Sequence, residues 1–366
     1  MRIALVSADF PPNVGGVAAH VYELGKALAK LNHEVDVLTL PLGKTSGVIE
    51  EMSGMSVYRI KSFKNEPFFT WIFKKFLKKY IANKKPDVIH VHGMRPLMST
   101  KGINVPVVFT NHTSGYLKRI EKGGRELEKI ASRLQHISAV IAPSEELCEA
   151  TRIVGYKKPV KFISNGVDTE KFVPKIAGNL KSTFGWSEND VVVLLARRLV
   201  EKNGVNVFAN AAAQVNNSKA KFLFAGDGPE RAKVEKILKD GGVTKNCRLL
   251  GNVPNDRMIE IYQSADISVL PSFMEATSIT GLESMSCGLP LIGTRVGGIP
   301  FLINDQETGL LVNPGNANEI SLAINRLIEN PDIRNEYGLN GRKRAEQMFS
   351  WMKIAEQTIQ VYRSVK

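Results

Sequence analysis

Two glutamates eight positions apart, Glu275 and Glu283, carry the most specific chemical signal in the chain. The apolar run 266–270 before them predicts a buried strand, and the small residues that follow predict a turn and then a helix. One carboxylate would lie in a loop at the end of the strand, and the other in the first turns of the helix. Backbone amides at a helix start favour an anion. This arrangement predicts a binding site for a phosphorylated sugar donor.

A capping box gives a second interpretation of Glu283, because Thr280 stands three residues before it. In that interpretation the carboxylate satisfies backbone amides at the start of the helix and needs no ligand. A glutamate could cap the helix and still contact a ribose, so the sequence leaves both interpretations open.

Length and charge limit the classes of protein to consider. A chain of 366 residues predicts two domains, and a net charge of +13 favours a nucleotide, an anionic lipid or a nucleic acid as partner. No apolar run approaches the roughly 18 residues of a membrane span, and no signal peptide is evident, which predicts a cytoplasmic protein. Three widely spaced cysteines without a CxxC pair predict core residues rather than disulfides or a zinc site.

Short apolar runs alternate with helix-like segments along the chain, which predicts parallel sheets covered by helices on both faces. The predicted strands are 3–7, 35–40, 87–91, 105–110, 139–142, 191–196, 221–225, 247–250, 267–270 and 289–293. The predicted fold class is therefore α/β, with two Rossmann-like doubly wound domains that face each other across a cleft. The pattern restarts after an Asn-Gly turn signal, which predicts domains over 1–165 and 166–345 and a C-terminal helix over 346–366 that crosses back to the first domain.

Basic and glycine residues follow several of these strands. Arg197, Arg198 and Lys202 come after strand 191–196, where fixed cations could stabilise a leaving diphosphate or could simply be solvated surface charges. The glycines of the segment 11–16 permit close approach of the backbone to a phosphate, although a tight turn needs the same residues.

Histidines mark two further strand ends. His112 follows strand 105–110, where it could hydrogen-bond a sugar hydroxyl or be structural. His90 and His92 alternate along a strand and point the same way, but two histidines alone do not make a metal site. We therefore expect them to be residues at the end of the strand, with no metal.

Together these segments resemble the retaining glycosyltransferases of family 4, which have the GT-B fold, over nearly the whole chain. The resemblance implies that Glu275 lies beside the donor sugar, that Glu283 holds the nucleotide ribose, and that an arginine followed five positions later by a lysine binds the diphosphate. That spacing selects Arg197 and Lys202. The resemblance also implies that the first domain binds the acceptor and the second the nucleotide sugar.

The remaining site residues follow from the same resemblance. It assigns catalysis to Glu275, His112, Arg197 and Lys202. It assigns donor binding to Gly15, Gly16, Arg197, Lys202, Gly251, Asn252, Val253, Glu275, Ser278, Ile279, Thr280 and Glu283. The implied partners are a nucleotide-diphosphate sugar as co-substrate and a lipid or glycan acceptor, with no metal, no other cofactor and no nucleic acid. Ala276-Thr277-Ser278 replaces the Gly-Phe-Gly common in the family, so the donor sugar stays open.

A basic, aromatic helix is predicted over residues 68–83. Its lysines could draw it to an anionic membrane surface on the cytoplasmic side, or its apolar face could simply pack on the sheet, and the two interpretations are compatible.

The function implied is a retaining transfer of a hexose-type sugar to an acceptor hydroxyl. A nucleotide-sugar epimerase of similar fold, a non-catalytic donor-binding protein and a basic nucleic-acid-binding protein are the alternatives.

Overall fold

The computed structural model describes residues 1–13, 15–41, 49–61, 66–112, 115–174 and 180–366. Its contacts divide the chain into two compact units, one made of Met1–Gly166 with Trp351–Lys366 and the other of Val167–Ser350. The sequence placed its divisions after residues 165 and 345.

The first unit is built on a sheet that is parallel except at one edge. Its described strands lie in the order β3-β4-β2-β1-β5-β6-β7-β8, and only the pair β3–β4 among them is antiparallel. The strands are β1 (Arg2–Ser7), β2 (Glu34–Thr39), β3 (Ile49–Met52), β4 (Met55–Arg59), β5 (Val88–His92), β6 (Val107–Thr110), β7 (Ala139–Ala142) and β8 (Val160–Phe162). The helices are α1 (Gly16–Lys30), α2 (Glu66–Lys84), α3 (Met94–Leu97), α4 (Gly115–Glu121), α5 (Gly124–Leu134) and α6 (Glu145–Ile153).

The second unit has a sheet whose described strands are all parallel, in the order β11-β10-β9-β12-β13-β14. The strands are β9 (Val191–Ala196), β10 (Ala220–Ala225), β11 (Cys247–Leu249), β12 (Ile267–Leu270), β13 (Leu291–Thr294) and β14 (Gly309–Val312). The helices are α7 (Val205–Gln214), α8 (Arg231–Asp240), α9 (Met258–Gln263), α10 (Ile279–Ser286), α11 (Ile299–Leu302), α12 (Ala317–Glu329) and α13 (Pro331–Arg344).

Helices cover both faces of the second sheet. Along β9 the side chains alternate, so that Val193 and Leu195 join the core cluster that includes α7, α8 and α12, while Val192 and Leu194 join the cluster that includes α9, α10 and α11. A strand buried on both faces needs an unbroken apolar sequence, which is what β9 has. The predicted class, α/β with two Rossmann-like doubly wound domains, is confirmed.

The last helix, α14 (Trp351–Ser364), belongs to the first unit. Its Ile354, Ile359 and Tyr362 are buried in the same core cluster as Val21 and Leu28 of α1. The apolar stripe of α14 therefore completes the covering of a sheet formed more than 150 residues earlier in the chain.

Strand limits differ from the prediction where prolines stand. β6 and β13 begin after Pro106 and Pro290, because proline has no amide hydrogen to donate to a ladder. The carbonyls of these prolines still accept hydrogen bonds from Ile89 and Ser268. The short or charged strands β3, β4, β8 and β14 were not predicted.

Helix α2 buries one face and exposes the other. Phe69, Phe73 and Leu77 are fully buried, whereas Phe68 and Trp71 are 59% and 63% exposed. The predicted packing of the apolar face is thus present, and aromatic side chains also remain on the surface. No helix among the described residues is both long enough and apolar enough to cross a bilayer.

Candidate active site

A cavity of about 710 Å³ lies at the carboxyl ends of the strands of the second unit. Ligands of open α/β sheets bind at this edge. Several residues on its wall follow three neighbouring strands or belong to one helix: Arg197 and Arg198 after β9, Asp227 after β10, Asn252 and Val253 after β11, and Ile279, Thr280 and Glu283 of α10. Of these, Arg198 and Asp227 were not among the predicted site residues.

Arg197 is held by two side chains that follow β12. Its Nη2 forms an ion pair with Glu275 Oε2, and its Nη1 donates to Ser272 Oγ at 2.5 Å. The side chains of Arg197 and Glu275 are only 10% and 14% exposed, so little solvent screens the pair. The structure thus brings together Arg197 and Glu275, two of the residues chosen from the sequence. In this structure they form an ion pair with each other.

Lys202 and Gly251 lie beside the cavity rather than on its wall. The Lys202 side chain is exposed, and its carbonyl accepts a hydrogen bond from Phe273 N at 2.9 Å, which ties its loop to the segment before Glu275. The Gly251 carbonyl accepts from Gly226 N at 2.8 Å and so joins the loops after β10 and β11.

The start of α10 tests the capping interpretation of Glu283. Ser278 is the N-cap, and its Oγ accepts from Gly281 N at 3.1 Å. Thr280 is already inside the helix, so the alternative capping box between Thr280 and Glu283 is wrong. Ser278 caps because its backbone is extended, with ψ of 106°, which lets its side chain turn back to the third amide of the helix.

Glu283 is instead a buried carboxylate that borders the cavity. It is 9% exposed, and its Oε2 accepts a hydrogen bond from the Tyr262 hydroxyl at 2.6 Å. Burial raises the pKa of Glu283 to about 7, while the Tyr262 hydroxyl opposes this rise by stabilising the ionised form. A polar group with no helix amide to satisfy, placed on the wall of a cavity, is suited to binding hydroxyl groups of a ligand.

The loop that carries Glu275 rests on a pair of glycines not singled out in the sequence. Gly298 N donates to the Glu275 carbonyl at 3.0 Å, and a Cβ on Gly297 would lie 1.8 Å from that carbonyl oxygen. Gly297 also has a φ of +50°, which side chains rarely adopt. The sequence did contain a sign of this contact. Two adjacent glycines stand just after strand β13, and glycine near a strand often marks a close approach of another backbone segment.

In the first unit, Gly15 and Gly16 begin α1, with Gly15 as its N-cap. Val14, beside them, lies outside the described residues. Added Cβ atoms on Gly15 or Gly16 would meet none of the described residues within 4 Å, so packing against that part of the chain does not require glycine at either position.

His112 is partly exposed and lies beside the buried histidines His20 and His92. His92 Nδ1 and His112 Nε2 are 3.0 Å apart, and His20 Nδ1 is 3.0 Å from Asn165 Oδ1. Burial lowers the pKa of His20 to about 4 and places those of His92 and His112 well below the usual value. At neutral pH these rings are therefore uncharged, and they can serve as hydrogen-bonding groups but not as fixed cations.

The same three histidines are the group among the described residues that could hold a metal ion, since their ligand atoms lie within 4.8 Å of one another. His90, by contrast, is engaged on both ring nitrogens, by Tyr362 Oη at 2.7 Å and Thr110 Oγ1 at 2.6 Å.

Two family models match the chain, one in each half. The model described as Glycosyltransferase Family 4 matches residues 14–171, and the model described as Glycosyl transferases group 1 matches residues 178–344.

Similar proteins agree with these matches. A phosphatidylinositol N-acetylglucosaminyltransferase subunit from Arabidopsis thaliana is 28% identical over 99% of this chain and 81% of its own. The sucrose-phosphate synthase of Thermosynechococcus elongatus is 25% identical, with a TM-score of 0.81 over 100% of this chain and 98% of its own. An Anabaena protein solved with UDP-glucose is 20% identical, with a TM-score of 0.78 over 100% of both chains.

The fold and these matches define a glycosyltransferase with the two parallel-sheet domains of the GT-B class. Within that class, the chain belongs to glycosyltransferase family 4, whose group 1 model covers the unit that holds the cavity. The family inferred from the sequence is thus confirmed.

Proposed function

We propose that the protein is a retaining glycosyltransferase that moves a hexose-type sugar from a nucleotide-diphosphate sugar to an acceptor hydroxyl. The observation that carries the proposal is the convergence of Arg197, Glu275, Glu283 and the start of α10 at one edge of the second sheet. Basic groups and helix amides suit a diphosphate, and a buried carboxylate suits hydroxyl groups. No metal or other cofactor is assigned a role in this proposal.

Each residue then has a distinct task. Arg197 and Lys202 stabilise the charge that develops on the leaving nucleoside diphosphate, and the amides of Ser278, Ile279 and Thr280 assist them. The departing diphosphate accepts the proton of the acceptor hydroxyl on the face that it leaves, which retains the configuration. Glu275 orients the donor sugar, and Glu283 binds the ribose.

Residues of both units have further tasks in this proposal. Gly15 and Gly16 approach the donor phosphates, and His112 hydrogen-bonds a sugar hydroxyl as a neutral imidazole. Gly251, Asn252 and Val253 lie where the nucleotide base binds. The predicted domains over 1–165 and 166–345 serve the acceptor and the donor respectively.

The names of similar proteins support a donor of this class. The Anabaena protein was solved with UDP-glucose, and the Arabidopsis protein is named for transfer of N-acetylglucosamine to phosphatidylinositol. The second name also supports a lipid or lipid-linked glycan as acceptor.

A surface of α2 favours a membrane-bound acceptor. Phe68 and Trp71 are exposed beside the exposed lysines Lys75, Lys78 and Lys79, and such a surface suits the anionic cytoplasmic face of a membrane. We therefore propose a cytoplasmic protein that binds the membrane peripherally through this helix.

A thermal-shift screen of UDP-, GDP- and ADP-sugars tests the donor class. One nucleotide at a hundred times its Kd should stabilise the protein by about 2.7 kcal/mol, which raises its melting temperature by several degrees. Arg197→Ala should abolish that shift, whereas Arg326→Ala, at an exposed position on α12, should leave it intact.

The screen, together with assays of donor turnover and nucleic-acid binding, separates the alternatives. Failure of every nucleotide to stabilise the protein contradicts the proposal. Donor turnover without any acceptor indicates an epimerase, and binding without transfer indicates a non-catalytic protein. Salt-dependent binding of nucleic acid, with no stabilisation by any nucleotide sugar, indicates a basic nucleic-acid-binding protein.

Flotation with anionic liposomes tests the membrane proposal. Replacing Lys75, Lys78 and Lys79 with alanine should weaken binding about a hundredfold, at about 1 kcal/mol for each basic residue near the surface. The matched control replaces Lys233, Lys236 and Lys239, which are exposed on α8, and removes the same charge. Equal losses in the two triple variants would show only a general effect of net charge and would refute a role for α2.

A further inference from the structure

We propose that Tyr262 is a positioning residue that holds Glu283 as an ionised, oriented acceptor for the nucleotide ribose, and that nucleotide binding consequently strengthens as pH rises. This inference rests on the proposed function, because it assumes that Glu283 faces a nucleotide. It adds a residue and a pH dependence that the resemblance does not supply.

The geometry places Tyr262 between the core and the carboxylate. Tyr262 lies on α9, is fully buried and donates its hydroxyl to Glu283 Oε2 at 2.6 Å. Both residues also border the cavity. Tyr262 engages Oε2, and no described residue donates to Oε1, so Oε1 is available to accept a hydrogen bond from a ligand hydroxyl. The hydroxyl of Tyr262 thereby fixes the orientation of the carboxylate.

Tyr262 is a dependable donor over the whole neutral range. Burial raises its pKa well above the usual value, and the neighbouring Glu283 adds to that rise. The hydroxyl therefore keeps its proton, and its hydrogen bond favours the charged form of Glu283.

The other charged and titratable groups around Glu283 are few and mostly engaged elsewhere. Lys171 favours the ionised carboxylate, but its Nζ lies 3.4 Å from the Asn255 carbonyl. Arg197, at the end of β9, is paired with Glu275, and Cys287 is the C-cap residue that follows α10.

Arg342, on helix α13, is engaged by other groups. It donates to the carbonyls of Phe172 and Ser286 and pairs with Glu346 at 2.6 Å. Among the described residues, Tyr262 is thus the group whose side chain donates directly to Glu283.

The sign of the pH dependence follows from the role of the carboxylate. Ionised Glu283 accepts hydrogen bonds, whereas the protonated acid loses an acceptor site. Since burial raises the pKa of Glu283 to about 7, the competent form predominates only above that value. A nucleotide should therefore bind more weakly as pH falls below 7, and its binding there should release a proton.

The test measures the dissociation constants of UDP, GDP and ADP between pH 5.5 and 8.5. For a nucleotide that binds, the wild-type affinity should rise with a midpoint near pH 7. Tyr262→Phe should move that midpoint upward by about half to one pH unit, because it removes a hydrogen bond to the ionised form. It should also raise the KM for the donor more than it lowers kcat.

Two variants serve as controls. Glu283→Gln removes the carboxylate and should keep only the titration of the nucleotide's own phosphate, which falls near pH 6. Tyr337→Phe alters another buried tyrosine of the same unit, one that does not border the cavity, and should leave the midpoint in place. A merely structural role for Tyr262 would lower the melting temperature without moving the midpoint.

The outcomes distinguish a failure of the proposed function from a failure of the inference about Tyr262. If no nucleotide binds the wild type at any pH, the proposed function fails. If a nucleotide binds but Tyr262→Phe keeps the wild-type midpoint, only the inference about Tyr262 is overturned.

Should Tyr262→Phe fold poorly, calorimetry in two buffers of different ionisation enthalpy measures the proton directly. Wild-type protein should then release more protons than Glu283→Gln on nucleotide binding near pH 6.5, and equal release would overturn the inference.

Discussion

Replacing Glu275 with glutamine should reduce sugar transfer by about a thousandfold while a nucleoside diphosphate still binds within a fewfold of its wild-type affinity. The reason is that this carboxylate is assigned to the sugar, where it orients the reacting centre and stabilises positive charge that develops in the transition state. The diphosphate meets Arg197 instead. Because Arg197 is paired with Glu275 in this structure, removing the negative charge should leave the guanidinium free for the phosphates.

Two measurements check this separation. Product formation gives kcat and KM, and calorimetry gives the dissociation constant of the nucleoside diphosphate. Glu329→Gln, at an exposed position near the end of α12, is the matched control and should change neither. Unchanged turnover in Glu275→Gln would refute the assigned role, and a parallel loss of nucleotide binding would show that the ion pair is structural.

Gly297→Ala should destabilise the second unit by about 3 kcal/mol and abolish transfer. An alanine there adds the cost of a left-handed backbone, about 1 kcal/mol, to a contact 1.8 Å from the Glu275 carbonyl oxygen that can be relieved only by moving that loop. Displacement of the loop would separate Glu275 from Arg197 and misplace both for the donor.

Gly242→Ala isolates the backbone contribution. Gly242 also has a positive φ, of +71°, but an added Cβ meets nothing within 4 Å. Its replacement should therefore lower the melting temperature by only a few degrees and preserve activity. Equal losses in the two variants would show that the close approach to Glu275 has no special cost.

The extent of prediction from sequence can be judged from individual elements. Strand β9 and the buried stripe of α1 were predictable because hydrophobic periodicity is a local property of the chain. Strands β3 and β8 were not, since an edge strand with charged residues or only three residues carries little periodic signal.

The hydrogen-bond and ion-pair partners of the site residues were even harder to predict from the sequence. The capping box considered for Glu283 used Thr280, three positions away, whereas its hydrogen-bond donor, Tyr262, is 21 positions away. The pair Arg197 and Glu275 is separated by 78 positions. Local patterns contain no information about such distances.

The sequence alone thus determined the alternation of strands and helices, the family, and the fact that charged residues follow the strands. Only the tertiary structure decided which of them meet. Strand β12 lies directly beside β9 in the sheet, although β10 and β11 intervene in the chain. That strand order, set by packing on both faces of the sheet, brings the ends of two distant strands together and joins Arg197 to Glu275.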